Sequence, residues 1–418
     1  MKLSKFGEKF TRKSGILELM DDLGKAMGGS DKKYMLGGGN PAHIKEIQKI
    51  FRTRMEEIME DSDSLEKLIG NYDTPQGDSQ FLKSMAAFLK KEYGWNITEK
   101  NIAITPGSQS GFFILFNMLA GEFSDGSKKK ILLPLCPEYI GYADQGLSED
   151  FFVSYKASIE FISKHEFKYH VDFDKLKITD DIAAICVSRP TNPTGNVLTD
   201  EEINKLSKIA KQNNIPFIID NAYGAPFPNI IFNEVKPVWD ENIILTMSLS
   251  KLGMPSIRTG IIVAKEEIIQ KIAGINAIIS LANTRLGQAI VTPLLDDSSI
   301  IEISKKHITP YYESKSKKAQ EYIKEFFNDE IPYYVHKSEG CLFLWLWFKD
   351  MPISSKELYQ RLKKRNVIVV PGEYFFPGLN EEWDQTQECI RMSFAMEDAD
   401  VKMGIKIIGE EIEKAYNS

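Results

Sequence analysis

Cysteine is scarce in this chain. Cys136, Cys186, Cys341 and Cys389 are the only four among 418 residues, and no two form a CxxC pair. That excludes a disulfide framework and a zinc knuckle, and it reads as the reduced thiols of a cytoplasmic protein. Long apolar runs are missing too. The longest, CLFLWLWF, has eight residues, against the roughly 20 that a membrane-spanning helix needs. The opening stretch MKLSKFGEKFTRKSGILELM breaks its apolar residues with charge too often for a signal-peptide core. Positive charge is not in excess: 52 Lys and Arg face 59 Asp and Glu, a formal net charge of −7. The electrostatic footprint of a nucleic-acid or anionic-membrane binder is therefore absent. No internal repeat or low-complexity tract stands out. What is present, 43% hydrophobic and 27% charged residues, is ordinary for a folded soluble chain.

Between about residues 100 and 265 short apolar runs alternate with helical patterns. ILLPL (131–135), AAICVS (183–188), PFIID (216–220), IILTMSLS (243–250) and TGIIVA (259–264) read as buried strands rich in β-branched residues. TDEEINKLSKIAKQNN between two of them has helical period, with Thr199 and Glu202 spaced for a capping box. Strand, helix, strand implies an α/β fold with a mostly parallel sheet covered on both faces. After residue 300 the pattern changes. SKELYQRLKKRN and ADVKMGIKIIGEEIEKAY read as amphipathic helices, and GCLFLWLWF and ECIRMSFA as strands, the mark of a smaller α+β domain. The expected division is an N-terminal segment, 1–45, packing with the small domain; a large domain, 46–295; and a small C-terminal domain, 296–418.

Open parallel sheets bind ligands beyond the carboxyl ends of their strands. CPEYIGY follows ILLPL, RPTNPTG follows AAICVS, NAYG follows PFIID, and SLSK follows IILTM. Tyr139, Asn192, Asp220, Tyr223 and Lys251 should therefore gather on one sheet edge. In TPGSQSGFFILFNMLA, Gly107, Ser108 and Gln109 stand where an apolar helix begins, and free N–H groups on a helix dipole bind phosphate. Arg258 offers a planar fork for the same group, and Ser248 and Ser250 add hydroxyls. A phosphorylated ligand beside a lysine points to pyridoxal 5'-phosphate, whose aldehyde forms a Schiff base with an amine. Asp220 would then keep the pyridine nitrogen protonated, Tyr223 and Asn192 would bond the ring's phenolic oxygen, and Tyr139 would stack on its face. Singly, each residue is as well explained as a turn former, a packing aromatic or a surface ion-pair partner. Their convergence on one ligand separates the two explanations. GGGN at 37–40 lacks the GxGxxG spacing of a dinucleotide turn.

NPTG (192–195), DNAY (220–223), SLSK (248–251) and KLGMPSIRTG with Arg258 together resemble the fold-type-I, class I/II pyridoxal-phosphate aminotransferases over nearly the whole chain. The resemblance implies that Lys251 carries the cofactor and shuttles the Cα proton. It also implies that Arg391 in CIRMSFA clamps the substrate α-carboxylate, and that Gly39 in MLGGGNP contacts the same group. Tyr72 in NYDTPQG matches a tyrosine that reaches the neighbouring subunit's cofactor phosphate, so a homodimer with shared active sites is implied. Amino acids and 2-oxo acids are the implied small-molecule partners.

Dicarboxylate-specific members carry a second arginine about ten residues before a glycine in the segment after the lysine. Counting back from Gly287 lands on Ala277, with Arg285 nearby. An apolar side-chain pocket, and so a neutral amino acid, is expected. FGEKFTRKSGILELMDDL, LGGGNP, PEYIGYAD, DNAYGAPFP, FLWLWFKD and VPGEYFFPG narrow the resemblance to the branch that exchanges an amino group between valine and pyruvate. Transamination of other neutral or aromatic amino acids and β-elimination remain open on this scaffold, because a pocket discriminates a methylene by only about 1–3 kcal/mol. So does a non-catalytic, cofactor-binding regulator, although no basic helix-turn-helix segment precedes the domain.

Overall fold

The computed structural model describes residues 1–12 and 32–417, with 14, 15, 17, 20, 21 and 24 between them. The β-branched runs lie side by side in one eight-stranded sheet. From one edge the order is Ile102–Pro106, Thr259–Val263, Ile243–Ser248, Phe217–Asp220, Ile182–Ser188 and Lys128–Cys136, the last pairing with Gly121–Glu122 and Phe152–Lys156. The strands from Ile243–Ser248 through to Phe152–Lys156 pair in parallel. Thr259–Val263 runs against both of its neighbours. Asp220 is in register with Thr246 on one side and Ser188 on the other, so three consecutive strands end level and release their loops at one edge.

Alternate residues of these strands face two different cores. Ile218, Ile244 and Ile262 pack with Phe112 and Phe116 of the helix Ser108–Leu119. Ile219, Leu245 and Ile261 join the larger core on the other face. All residues of Ile182–Ser188, Phe217–Asp220, Ile243–Ser248 and Thr259–Val263 are buried, as continuous apolar strands in a doubly covered sheet should be. The helix Asp200–Gln212 opens with the expected capping box: Glu202 N donates to Thr199 Oγ1 and Thr199 N to Glu202 Oε2.

A second, six-stranded sheet runs Val370–Pro371, Cys389–Ser393, Phe343–Phe348, Tyr333–His336, Glu166–His170 and Ser158–Ser163. Its last two strands come from a hairpin that the sequence reading places inside the large unit. Val335 is in register with Glu166, which ties the hairpin to the small sheet. Ser158–Ser163 is mostly exposed, so it carries no apolar pattern that would betray a strand. Tyr34–Met35 pairs in parallel with Val367–Ile368, and Ser393 N donates to Leu36 O at 2.6 Å. Further upstream, Arg12 pairs with Glu149 at 3.1 Å, beside the large sheet. The four cysteines are buried and unbridged. Among the described residues no helix is long and apolar enough to cross a membrane.

Candidate active site

The level strand ends open onto a cavity of about 600 Å³. Lys251, in the turn after Ile243–Ser248, projects into it. Its Nζ donates to Gly39 O at 2.6 Å and lies 5.3 Å from the centre of the Tyr223 ring. Among the described residues the lysine has no carboxylate salt-bridge partner. Burial pulls its pKa from 10.5 down to about 8, and the charges of Arg391 and Arg258 push the same way. An amine so placed is a far better nucleophile and base at neutral pH than a surface lysine.

Asp220 closes the next strand. Its Oδ2 accepts from Tyr142 Oη at 2.6 Å and its Oδ1 from Ala222 N at 3.0 Å. Burial raises its pKa, while these donors and Lys251 oppose the rise. Tyr223 is buried, which pushes its phenol well up. Asn192 follows the neighbouring strand, and its Oδ1 accepts from Arg391 Nη1 at 2.7 Å.

Arg391 reaches the cavity from the other sheet, on Cys389–Ser393. Its Nη2 donates to Gly37 O at 2.7 Å, and the guanidinium lies 4.0 Å from the Phe343 ring centre and 5.2 Å from that of Phe375. It is only 2% exposed, no carboxylate neutralises it among the described residues, and its Nε–H has no partner. Burial lowers its pKa to about 10, which leaves it charged at neutral pH. A buried cation with spare donors is primed for an incoming carboxylate.

Opposite the lysine lies an anion cradle. Gly107 caps the helix Ser108–Leu119 at φ +82°, and a β-carbon there would collide with the Arg258 guanidinium. A β-carbon at Gly260 would likewise run into Ser108 N. These two glycines let free helix N–H groups and a guanidinium share one small space, which fits a phosphate. Arg258 Nη1 is 3.4 Å from Ser250 Oγ, and Ser248 Oγ accepts from Ser250 N at 3.1 Å. Gln109 and Ser108 also line the cavity. Gln109 Nε2 donates to Gly141 O at 3.0 Å. Gly141 is required because a side chain there would strike the Tyr139 ring. Cradle, lysine and aspartate together fit pyridoxal phosphate.

Two residues lie elsewhere. Tyr72 is 84% exposed and does not line the cavity of its own chain. Arg285 is held by Asp78 at 2.6 Å, Asp73 at 3.0 Å and the carbonyl of Lys67 at 2.9 Å, and it stays outside the cavity. Sequence reasoning missed Glu138 and Tyr142, although both stand in the same CPEYIGY segment as Tyr139. It also missed the apolar lining by Met20, Met35 and Met396, because nothing in the sequence around a methionine marks it as lining a site.

This fold and site define an aminotransferase. The sequence model of the family aminotransferase class I and II matches residues 35–408, and the chain belongs to that family. A valine–pyruvate aminotransferase of Escherichia coli (strain K12) is 50% identical over 416 residues, covering 100% of this chain and 99% of its own length. A crystal structure of a putative amino-acid aminotransferase from Psychrobacter arcticum 273-4 superposes with a TM-score of 0.97 at 46% identity, with complete coverage of both chains. The valine–pyruvate aminotransferase of Salmonella typhimurium LT2 superposes at 0.89 with 48% identity, over 96% of this chain and 100% of that one.

Proposed function

We propose that this aminotransferase moves the amino group between L-valine and pyruvate, giving 3-methyl-2-oxobutanoate and L-alanine. The observation that carries the reading is a buried, unneutralised Arg391 sharing one cavity with the Lys251 amine and an apolar lining. Arg285 is already committed to two aspartates, so it offers no second clamp for a dicarboxylate. The likeness to valine–pyruvate aminotransferases supports the choice of substrates.

Pyridoxal 5'-phosphate, when bound, supplies an aldehyde that captures amines and a conjugated ring that takes up the electrons of a Cα–H bond. Gly107, Ser108, Gln109, Ser248, Ser250 and Arg258 would hold its phosphate. Asp220 would keep a proton on the ring nitrogen, and Tyr139 would cover the ring face. Tyr223 and Asn192 would donate toward the ring's phenolic oxygen. Arg391, with Gly39 and Asn192 beside it, orients the substrate carboxylate so that the Cα proton comes within reach of Lys251 Nζ. The lysine takes a proton from Cα of the amino acid in one half-reaction and delivers one to Cα of the oxo acid in the other. The first product leaves before the second substrate enters, so initial-rate plots with both substrates varied should be parallel lines.

The protein acts as a homodimer in this reading. Ile69, Tyr72, Ile278, Ile279 and Leu281 are each more than half exposed. Asn276 and Asn283, which both donate to Pro75 O, bring their two segments together. Exposed apolar side chains on two adjoining segments fit burial against a second copy, which would carry Tyr72 toward the partner's site. Mixing the cofactor-loaded protein with L-valine alone, and following its visible absorption band, tests the substrate. The band should be lost with valine and restored by pyruvate. A band that ignores valine refutes the substrate, and failure to acquire any band on reconstitution refutes the cofactor.

A further inference from the structure

Behind Asp220 lies a second carboxyl group that the reaction above does not use. Glu138 has no exposed surface, and among the described residues no cation pairs with it. Three donors converge on it instead: Ser188 N on Oε1 at 2.9 Å, and Ser188 Oγ and Tyr139 N on Oε2 at 2.7 and 3.1 Å. Ser188 Oγ lies 3.4 Å from Tyr142 Oη, which donates to Asp220. Glu138, Ser188, Tyr142 and Asp220 thus form one buried line, and all four are at most 8% exposed. Burying a carboxyl without a cation is costly, and an apolar residue would fill the space at less cost.

We propose that Glu138 is a positioning residue that acts through Ser188 and Tyr142 to set how strongly Asp220 is held as an anion beneath the cofactor's ring nitrogen. The inference rests on the proposed use of pyridoxal phosphate. Each hydroxyl in the line has a single proton. With Glu138 ionised, Ser188 gives its proton to Glu138 and turns its lone pairs to Tyr142, competing with Asp220 for the phenolic proton. With Glu138 protonated, the donors run in one direction: Glu138 to Ser188, Ser188 to Tyr142, Tyr142 to Asp220. Burial, with the nearby Asp220 charge, raises the Glu138 carboxyl to about 7, which brings both arrangements within reach of neutral pH. Asp220 is the better anion in the second arrangement, and a proton shared with the ring nitrogen then lies closer to nitrogen.

Glu138→Gln favours the second arrangement: with its carbonyl oxygen kept on Ser188 N, its amide N–H faces Ser188 Oγ as a donor and gives up the bond from Tyr139 N. Tyr142→Phe removes the donor to Asp220 while keeping a ring against Phe112 and Phe116, 4.9 and 5.2 Å away. The full-length protein reconstituted with cofactor labelled with ¹⁵N in the ring reads the proton directly. Glu138→Gln should move the ring-nitrogen resonance toward the protonated form and Tyr142→Phe away from it. Tyr142→Phe should also weaken cofactor retention by about tenfold or more. In a Tyr142→Phe or Ser188→Ala background the Glu138→Gln shift should vanish, a dependence that mere packing at residue 138 would not produce. Shifts of the same sign, or a Glu138→Gln effect that survives in both backgrounds, would overturn the relay. A parent protein that takes up no labelled cofactor would overturn the functional reading and the relay with it.

Discussion

Arg391→Lys isolates the geometry of the carboxylate clamp from its charge. The guanidinium commits one N–H to Asn192 and another to Gly37 O, which leaves Nε–H and a second N–H on each terminal nitrogen for a ligand. A lysine ammonium keeps the charge but cannot hold both carboxylate oxygens in a planar fork. It also forfeits the face-on contact with Phe343 at 4.0 Å. One lost charge-assisted hydrogen bond costs about 1.5–3 kcal/mol and the lost ring contact about 1 kcal/mol. At 1.4 kcal/mol per factor of ten, kcat/KM for L-valine should fall roughly 50- to 700-fold. Steady-state kinetics give that number. A thermal-shift titration with 3-methylbutanoate, which has the carboxylate but no amine, reports the clamp without turnover. The variant should lose most of the stabilisation that this carboxylate gives the parent. If kcat/KM and the titration both stay within threefold of the parent, Arg391 does not bind the carboxylate and the substrate orientation derived above is wrong.

Other perturbations test separate parts of the site. Lys251, neutral above about pH 8 in the folded chain and above about 10.5 when unfolded, leaves the unfolded state with more bound protons between those values. Stability contributed by this residue therefore rises with pH across that window, and below pH 8 the buried charge is a penalty. Cofactor-free Lys251→Met should consequently be more stable than the parent at pH 7, by on the order of 2 kcal/mol, with the gap closing by pH 10 in denaturant titrations. The same variant should have no transaminase activity, and measurable turnover would dismiss the lysine as the proton carrier. Gly107→Ala forces Arg258 out of the cradle and should weaken cofactor binding about tenfold or more without unfolding the protein; an unchanged titration would place the phosphate elsewhere. Lys168→Met leaves the buried Glu339 with only the more exposed Lys337, 3.2 Å away, as its cation and should cost about 1.5–3 kcal/mol in urea unfolding. A cost below 1 kcal/mol would show that Lys337, Asn233 and Val197 N, which also reach Glu339, are enough to hold it.

The central sheet and most of the site could be read from the chain because they obey strong local rules. Buried parallel strands are unbroken apolar runs, and the polar residue that follows each run stands where a ligand binds. Asn192, Asp220 and Lys251 are visible on that logic, and Gly107 and Arg258 as an anion site at a helix start, whereas Arg391 and Gly39 needed a family resemblance. Nothing local in CIRMSFA says that its arginine will cross from a second sheet to Asn192. The hairpin 158–170 escaped for a different reason: its outer strand faces solvent, and its inner strand pairs with one more than 160 residues away. Glu138 shows a third limit. Its sequence neighbourhood looks like a surface turn, and only the register of Ser188 beside Asp220 makes it an interior carboxyl.

Lys251 and Arg391 both rest on carbonyls of one short stretch, Gly39 and Gly37. The proposed nucleophile and clamp, more than a hundred residues apart, are thus calibrated against a common ruler. A shift of that stretch would carry both reference points together, so damage there would leave the amine and the carboxylate grip in step while misaligning both with the ring. Damage to the strand Cys389–Ser393 would do the reverse, leaving a lysine still able to capture amines with nothing to tell an amino acid from any other.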